Sequence, residues 1–502
     1  MAEKISGKNR LLLAALVITM FTSALNQTVV ATAMPHIVAE LGGLDLYSWL
    51  ATAFILASTV AVPLVGKFSD LWGRRPFFLA GVILFLTGSW ASGMAHTMNW
   101  LIGARVVQGF GGGMLMAMNT ITVGDLFPPA QRGRWHGIMM SLFALATLFG
   151  PTLGGWITDC LSWRWVFYVS TPFGLIALGL LAYALPAYRN PDKPRLNYGS
   201  PLLLTIALLS LLLALTFAQQ DLSWASGRVL AGFGAAAVSG ALFALVDRRS
   251  AEPLLPAWLW KNKVFVTSAL IFFLLTLGMF AVTLYLPMYL QVVTGVSATH
   301  SGALLTPMML SLMLAAIISG QLISRLRHYK SFTVLGLAVA TVGMYYLGQL
   351  PASTSHTMVV AGMIVTGTGM GLAMPTFMVA VQNTVQRTEL GVISSATQLF
   401  RSIGGVFGSA LIGNLVISGL RNRLASLFPP GATAQIDPGQ VLASLLQAPN
   451  DPRVLMLKNA FSQSITHGFF VGAVLLTAGF AASFLLPDRK LKTRWEDEPV
   501  LN

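Results

Sequence analysis

Long apolar runs, separated by short polar or charged segments, recur along this chain and limit most strongly what it can fold into. A membrane-spanning helix needs about 20 mostly apolar residues, and breaks at Gly, Pro and charge clusters divide the chain into fourteen such runs. Only 10% of the 502 residues are charged, whereas soluble domains carry about 25%. The sequence therefore predicts an all-α polytopic membrane protein. The predicted spans are 11–34, 48–66, 77–95, 99–124, 134–158, 165–185, 199–219, 228–246, 264–290, 300–323, 331–349, 357–381, 392–418 and 464–486.

The basic residues indicate how these spans are oriented. With the N-terminus inside, 23 of the 31 Lys and Arg residues fall in inner segments and six in outer ones, four of them in one long outer loop, 419–463. Lys and Arg favour the cytoplasmic side of a membrane. We therefore expect a multi-pass protein of the cytoplasmic membrane with both termini inside. The excess of basic residues, which gives a formal charge of +14, would then lie against the anionic lipid of the inner leaflet and would not indicate nucleic-acid binding.

Two arginines and one asparagine within the predicted spans are the most informative, because charged and strongly polar residues there are costly and usually functional. They are Arg105, Arg401 and Asn26, and no acidic residue accompanies them, because all 17 Asp and Glu residues lie in loops or at span ends. Asn26 is roughly 12 Å from the outer end of span one, and Arg105 is roughly 9 Å from the outer end of span four. Because the depths are similar, we expect a contact between these two side chains if the two spans line the same bundle.

Three motifs follow one another between spans two and five. The loop "GKFSDLWGRRPF" places Gly66 at a helix end, Asp70 and Arg74 four residues apart, and Gly73 at a tight turn. Span four begins "NWLIGARVVQGFGGG", with Arg105 on a glycine-rich helix. Span five contains "ALATLFGPTLGGWI", in which small residues and a proline allow close helix approach and a bend, at Gly150, Pro151, Gly154 and Gly155.

Together these motifs resemble the major facilitator superfamily over nearly the whole chain. The loop resembles its motif A, Arg105 to Gly109 its motif B, and the Gly-Pro segment its antiporter motif C. With its fourteen predicted spans and the segment "LNQTVVATAMP" in span one, the chain is similar to the fourteen-span drug:proton antiporter family. Two positions depart from the pattern: Ala146 stands where motif C usually opens with Gly, and Asn26 stands where the first-span motif usually has Asp.

The resemblance implies the major facilitator fold, with two six-helix bundles related by a pseudo-two-fold axis. The implied domains are an N-terminal bundle at 1–190, two additional spans at 191–260, a C-terminal bundle at 261–490 with the external loop 419–463, and a cytoplasmic tail at 491–502. Within that loop, 438–449 and 452–465 are expected to form short surface helices. A bacterial protein that acts as a monomer is also implied.

The resemblance further implies roles for the motif residues. Motif A would act as a gate, in which Asp70 meets the start of span thirteen near Gly391, since a helix N-terminus favours a negative charge. Proton binding at position 26 would switch the pairing with Arg105. We interpret Asn26 as an engineered replacement of a native aspartate, which would hold the protein in a protonated-like state. The alternative is a natural Asn in an uncoupled or differently coupled transporter.

Other polar and aromatic residues are candidates for a substrate cavity. Gln108, one turn from Arg105, could line the cavity or only bridge two helices, and Arg401 is expected to face the cavity. The candidates are Gln108, Tyr285, Tyr289, Gln398 and Arg401. His36 and His300 lie at outer span ends and are expected to be surface residues. No metal-ligand spacing is present.

The leading function is a proton-coupled secondary exporter of small hydrophobic or amphipathic compounds, of the multidrug efflux type, working by alternating access. Its partners would be the bilayer, the substrate and protons, with the proton gradient as energy source and no cofactor. An enzyme is not expected, because the chain has no GxxxxGK[ST] and no HExxH motif. The alternatives are an exporter or flippase of lipid-like molecules of the same superfamily and a non-transporting membrane scaffold.

Overall fold

The computed structural model describes residues 7–126, 129–185, 199–220, 225–250, 253–385, 390–427 and 452–488. Over these ranges the chain is helical and has no β-strand, which confirms the predicted all-α class. The α-helices are α1 Gly7–Leu41, α2 Trp49–Trp72, α3 Arg74–Gly93, α4 Met98–Leu126, α5 Pro129–Cys160, α6 Trp165–Tyr168, α7 Thr171–Ala184, α8 Gly199–Gln220, α9 Gly227–Arg248, α10 Ala257–Lys261, α11 Lys263–Met288, α12 Ala298–Leu326, α13 Lys330–Gly348, α14 His356–Gln382, α15 Leu390–Leu427 and α16 Pro452–Ser483.

Twelve of the helical segments in the described ranges are long and apolar enough to cross a membrane. The other two predicted spans, 134–158 and 199–219, coincide with α5 and α8. The side chains of 124–144, which include most of the first half of α5, lie outside what the structure describes. The count of fourteen spans therefore stays a prediction.

Helix α2 is longer than predicted at its C-terminal end. Gly66 was expected to end the helix, but α2 continues to Trp72. A single glycine costs a helix only about 1 kcal/mol, which the flanking apolar turns offset. The helix ends instead at Gly73, whose φ of 88° is a conformation that side chains with a Cβ rarely adopt. The predicted tight turn at Gly73 is therefore confirmed.

In spans six and nine the α-helix is interrupted. Span six consists of α6 and α7, and span nine consists of α11 followed by one π-helical turn at Tyr289–Val293. All five residues of that turn are buried. Single π-helical turns of this kind are rare and occur frequently at functional sites.

The helices flanking the predicted outer loop 419–463 are longer than expected. Helix α15 continues to Leu427 and α16 begins at Pro452. The prediction of a separate surface helix at 452–465 is therefore wrong, because this segment is the first part of α16 and polar residues are accommodated where a helix leaves the apolar region. The other predicted surface helix, 438–449, lies outside the described residues.

The chain forms two compact units. The first contains residues 1–241, 286–306 and 417–461, and the second contains 242–285, 307–416 and 462–502. In the first unit, α1 packs along α5, and α4 packs between α2 and α3. Buried apolar side chains fill the space between these helices, including Phe54, Phe78, Phe85, Leu115 and Met118. The bundle boundaries implied by the family resemblance are not tested by this division and stay a prediction.

In the second unit, α13 and α14 lie side by side along most of their lengths. Their contact depends on glycine: a Cβ on Gly343 would come within 2.5 Å of the Thr366 backbone nitrogen, and one on Gly336 within 2.7 Å of that of Ala373. Small residues at such positions let helix backbones approach closely in a membrane. A separate apolar cluster surrounds the start of α11, around Phe265 and Ile393.

Candidate functional site

Arg105 is the centre of a buried polar cluster in the first unit. It lies on α4, and its residue surface is only 2% exposed. Its Nε donates a hydrogen bond to the carbonyl oxygen of Leu50 on α2, at 2.9 Å. Its Nη1 donates to Asn26 Oδ1 on α1 at 2.9 Å and to Gln108 Oε1 on α4 at 2.6 Å. These acceptors are all neutral oxygens, so none of them compensates the positive charge.

Asn26 is fully buried, and the predicted contact with Arg105 is present. The amide uses only its oxygen there: Asn26 Nδ2 is buried and has no hydrogen-bond partner. An unsatisfied buried donor costs about 1–3 kcal/mol. A carboxylate at this position would carry no such donor and would bring a negative charge to Arg105. The surroundings of position 26 therefore fit an aspartate better than an asparagine.

Gln108 links this cluster to α3. Its Oε1 accepts from Arg105, while its Nε2 donates to Ser89 Oγ at 2.6 Å. The Ser89 hydroxyl is in turn 3.4 Å from that of Ser170, which precedes α7. Gln108 is fully buried, so of the two roles considered for it, the structure shows the bridge between helices.

Two aromatic rings complete the surroundings of Arg105. The guanidinium carbon is 4.6 Å from the ring centroid of Phe54 on α2 and 5.9 Å from that of Phe167 on α6. A cation over an aromatic face is attracted by the ring quadrupole, by about 2 kcal/mol when desolvated. The sequence did not identify Leu50, Phe54, Ser89 or Phe167, and an apolar stretch such as "WLATAF" carries no signal that would have done so.

The motif C residues bring α5 against α1, one turn from the cluster. A Cβ on Gly150 would collide with the hydroxyl of Thr28, and one on Gly154 with the carbonyl oxygen of Val29. The Thr28 hydroxyl also lies 3.2 Å from the carbonyl oxygen of Ala146, to which it donates. Ala146, which replaces the usual glycine, is fully buried in this contact.

Helix α5 also contacts the beginning of α12. A Cβ on Gly155 would collide with the carbonyl oxygen of Ala298, and one on Gly302 with that of Pro151. The hydroxyls of Thr152 and Thr306 are 3.1 Å apart. We call this contact, formed by residues 151–155 and 298–306, the α5–α12 seam. Pro151 lies inside α5, where it removes one backbone donor from the helix.

Only part of the motif A gate is described. Arg74 Nη1 donates to Ser69 Oγ at 2.8 Å, across the turn at Gly73. The side chain of Asp70 lies outside what the structure describes, so its expected contact with the start of α15 near Gly391 is not described either. The gate therefore stays a prediction.

The remaining cavity candidates differ in burial. Tyr285, at the end of α11, and Tyr289, in the π-helical turn, are both fully buried. Gln398 and Arg401 lie one turn apart on α15 and are half-buried. A surface hollow of about 490 Å³ in the second unit, lined by Tyr346, Gln349 and neighbouring residues up to Met358, contains none of the candidates.

Known proteins resemble this chain in sequence and in fold. The family model described as Major Facilitator Superfamily matches residues 16–200 and 248–409. Multidrug transporter protein MdtP of Bacillus subtilis is 37% identical over 97% of this chain and 95% of its own length. Multidrug resistance protein 3 of the same organism is 30% identical over 96% of both chains.

Solved structures show the same fold at much lower identity. A bacterial homologue of the human lysosomal transporter Spinster, in an inward-facing and occupied conformation, superimposes with a TM-score of 0.67 at 16% identity, over 96% of this chain and 97% of that one. A D-xylose–proton symporter gives a TM-score of 0.60 at 14% identity, over 93% of this chain and 96% of that one.

Proposed function

The chain belongs to the major facilitator superfamily, with multidrug transporters among its relatives, and on this premise we propose that it exports hydrophobic or amphipathic compounds in exchange for protons. The relatives named as multidrug transporters match it over nearly their whole length, which supports the substrate class. Transport by alternating access, export as the direction and protons as the driving ion are parts of this proposal.

The buried contact between Asn26 and Arg105 is the observation that supports proton coupling in this proposal. Moving a charge from water into a protein interior costs several kcal/mol unless it is paired. Arg105 is nevertheless placed among neutral oxygens and aromatic rings. A carboxylate at position 26 would hold Arg105 tightly when ionised and loosely when protonated, so that one proton changes the strength of a contact between α1 and α4.

Asn26 resembles the protonated form of that aspartate in shape and in charge. The present chain is therefore proposed to stay in the state that a proton-loaded transporter occupies, with coupled transport weak or absent. Reversal of the substitution is the direct test. In proteoliposomes under an imposed pH gradient, Asn26→Asp is expected to drive movement of a fluorescent lipophilic cation faster than the present protein does.

A matched control separates the charge from the hydrogen bond. Asn26→Leu has similar volume but offers Arg105 no acceptor, and it is expected to transport no better than the present protein. Equal export by the present protein and Asn26→Asp under the same gradient would mean that position 26 is not the coupling site. Gradient-driven transport by either would also exclude a non-transporting scaffold.

Arg401 favours a second candidate, export of lipid-like molecules with an anionic headgroup. This cation is half-buried in the first third of α15, beside Gln398, and an arginine within a membrane span is costly unless it meets water, a partner or a ligand. Competition against the lipophilic cation by anionic phospholipid, but not by neutral or cationic compounds, would support this candidate. Loss of that competition in Arg401→Gln would assign the headgroup to this residue.

A further inference from the structure

The start of α12 is capped by a residue of another helix. Helix α12 begins at Ala298, and the first N–H groups of an α-helix have no acceptor within the helix. Asp159, in the last turn of α5, accepts hydrogen bonds from the backbone nitrogens of Ala298 and Thr299, at 3.2 and 2.7 Å. It also accepts a hydrogen bond from the Thr299 hydroxyl. We call these three hydrogen bonds the Asp159 cap.

The residue that directly precedes α12 satisfies a different group. Ser297 Oγ accepts from the backbone nitrogen of His300 at 3.2 Å, as an N-cap serine ordinarily does. The nitrogens of Ala298 and Thr299 are instead bonded to Asp159, which lies 139 and 140 residues earlier in the chain. A cap from the same helix only stabilises that helix, whereas the Asp159 cap also joins α12 to α5.

The Asp159 cap lies at one end of the α5–α12 seam. Asp159 follows Gly155 by one turn on the same face of α5. Gly155 lies so close to the carbonyl oxygen of Ala298 that it has no space for a Cβ. At the other end of the seam, the hydroxyls of Thr152 and Thr306 are 3.1 Å apart. The Lys and Arg distribution predicts that the end with Asp159 faces outward.

The Asp159 cap combines a full negative charge with access to water. Hydrogen bonds to a carboxylate favour its ionised form, and a helix N-terminus favours a negative charge. Asp159 is nevertheless exposed, so water can replace its three donors if the helices separate, and no buried charge is then left unpaired. Loss of an N-cap shifts an equilibrium by about two- to thirtyfold. The contact can therefore favour the closed seam and still be broken reversibly.

We propose that Asp159 is a positioning residue of the transport cycle: the Asp159 cap holds the outer end of the seam closed, and it is released when the protein opens outward. No covalent bond changes, and the three hydrogen bonds are exchanged for bonds to water. The inference rests on transport by alternating access, which is part of the proposed function, and it assigns a residue to the outer side of that cycle.

The packing of the seam explains why its outer end would control opening. A Cβ on Gly155 would collide with Ala298, and one on Gly302 with Pro151, so the seam can open only if the two backbones separate. Small residues allow this close approach but bury little side-chain surface. The polar contacts at the two ends therefore have a large share in holding the helices together.

Glu40 provides a matched control, because it is another carboxylate at this end of the first unit. It accepts from Arg164 Nη1 at 2.6 Å and from Trp163 Nε1 at 2.7 Å. These partners join α1 to the segment before α6, and no described hydrogen bond joins Glu40 to α12. Loss of the Glu40 charge should therefore leave the seam unchanged.

The test measures opening of the seam without substrate, gradient or membrane. In full-length protein with Cys160→Ser, a single cysteine is introduced in the seam as Thr306→Cys. Its rate of maleimide labelling is followed in detergent at about pH 7, and the rate of each further variant is divided by that of this parent. Any effect of the reporter cysteine itself is common to all variants and cancels in the ratio.

Asp159→Ala is expected to label about fivefold faster than the parent, because the cap no longer opposes opening. Asp159→Asn keeps one acceptor oxygen but not the charge, so its ratio should lie between one and that of Asp159→Ala. Alanine is a better helix former than aspartate, so an effect on α5 alone would have the opposite sign. A ratio of one for Asp159→Ala, or an equal increase for Glu40→Gln, would overturn the proposal.

A second variant tests the cap from the side of α12. Thr299→Val removes the hydroxyl donor and should raise the labelling ratio roughly twofold. In Asp159→Ala, the same change should add nothing, because the acceptor is already absent. Equal effects of Thr299→Val in the two backgrounds would mean that Thr299 acts independently of Asp159, which contradicts the cap.

A second reporter distinguishes opening of the seam from a general loss of stability. Ser268 is fully buried on α11, in the second unit. With Ser268→Cys in place of Thr306→Cys, Asp159→Ala should leave the labelling rate unchanged. An equal increase at both reporters would show that Asp159 only stabilises the protein, and the proposal would be wrong.

Failure of the proposed function is distinguishable from failure of this inference. If Asp159→Ala opens the seam but no variant moves substrate in proteoliposomes, the Asp159 cap stands and the export function is wrong. If the Asn26→Asp protein exports the lipophilic cation but labelling in the seam does not depend on Asp159, the cap does not control opening and the proposed function remains.

Discussion

Gly154→Ala should separate α1 from α5 and destabilise the protein, because the structure leaves no space for one methyl group at this position. A Cβ there would collide with the carbonyl oxygen of Val29 and lie 2.8 Å from the Val29 Cα and 2.7 Å from the hydroxyl of Thr32. Two of these three atoms belong to the backbone of α1, so they cannot move aside as a flexible side chain does. Overpacking of this kind costs about 1–3 kcal/mol of stability.

Gly103→Ala is the matched control. Gly103 lies on α4 in the same unit, and a Cβ at this position meets no atom within 4 Å. An alanine inside a helix is more stable than a glycine by roughly 0.5–1 kcal/mol when nothing opposes it. This preference favours both changes, so the two variants should differ by the overpacking cost alone, about 1–3 kcal/mol, with Gly154→Ala the less stable.

Thermal unfolding of the purified variants in one detergent measures this difference. The Gly154→Ala protein should melt several degrees below the parent, and the Gly103→Ala protein at the same temperature as the parent or above it. A Gly154→Ala protein that melts at the temperature of the parent or above it would refute the close packing of α5 on α1. A Gly103→Ala protein that melts as low as Gly154→Ala would mean that helix packing elsewhere, rather than at Val29, limits stability.

Three further outcomes are expected. Gln108→Leu should lower the melting temperature, because buried Arg105 loses an acceptor at a cost of about 1–3 kcal/mol. Gln108→Glu should preserve the melting temperature, because a carboxylate also accepts from Arg105. Equal melting temperatures for the two variants would contradict the role of Gln108 as an acceptor for Arg105. In a Cys-free protein, an impermeant thiol reagent added to intact cells should label Asp437→Cys and not His328→Cys, and the reverse would overturn the predicted orientation. Asp70→Asn should reduce transport without reducing expression, and unchanged transport would count against the predicted gate.

The sequence by itself determined the features that depend on composition and spacing along one helix. Each membrane span must satisfy its own backbone and be about 20 apolar residues long, so hydropathy alone identifies the all-helical class and predicts where the spans lie. The depth of a residue follows from the rise per residue, and together with the shared bundle that the family resemblance implies, it allowed the contact of Asn26 with Arg105 to be expected. Gly73 could be assigned to a turn because only glycine adopts its conformation easily.

Only the tertiary structure decided which faces of the helices meet. In a soluble protein the apolar side of a helix identifies the buried face, but a membrane helix is apolar on all sides, so the sequence does not give its rotation about its own axis. The bridge from Gln108 to Ser89 and the position of Phe54 over Arg105 both depend on that rotation. It is set by where small residues let two backbones approach, as at Gly154 and Val29, and those partners lie far apart in the chain.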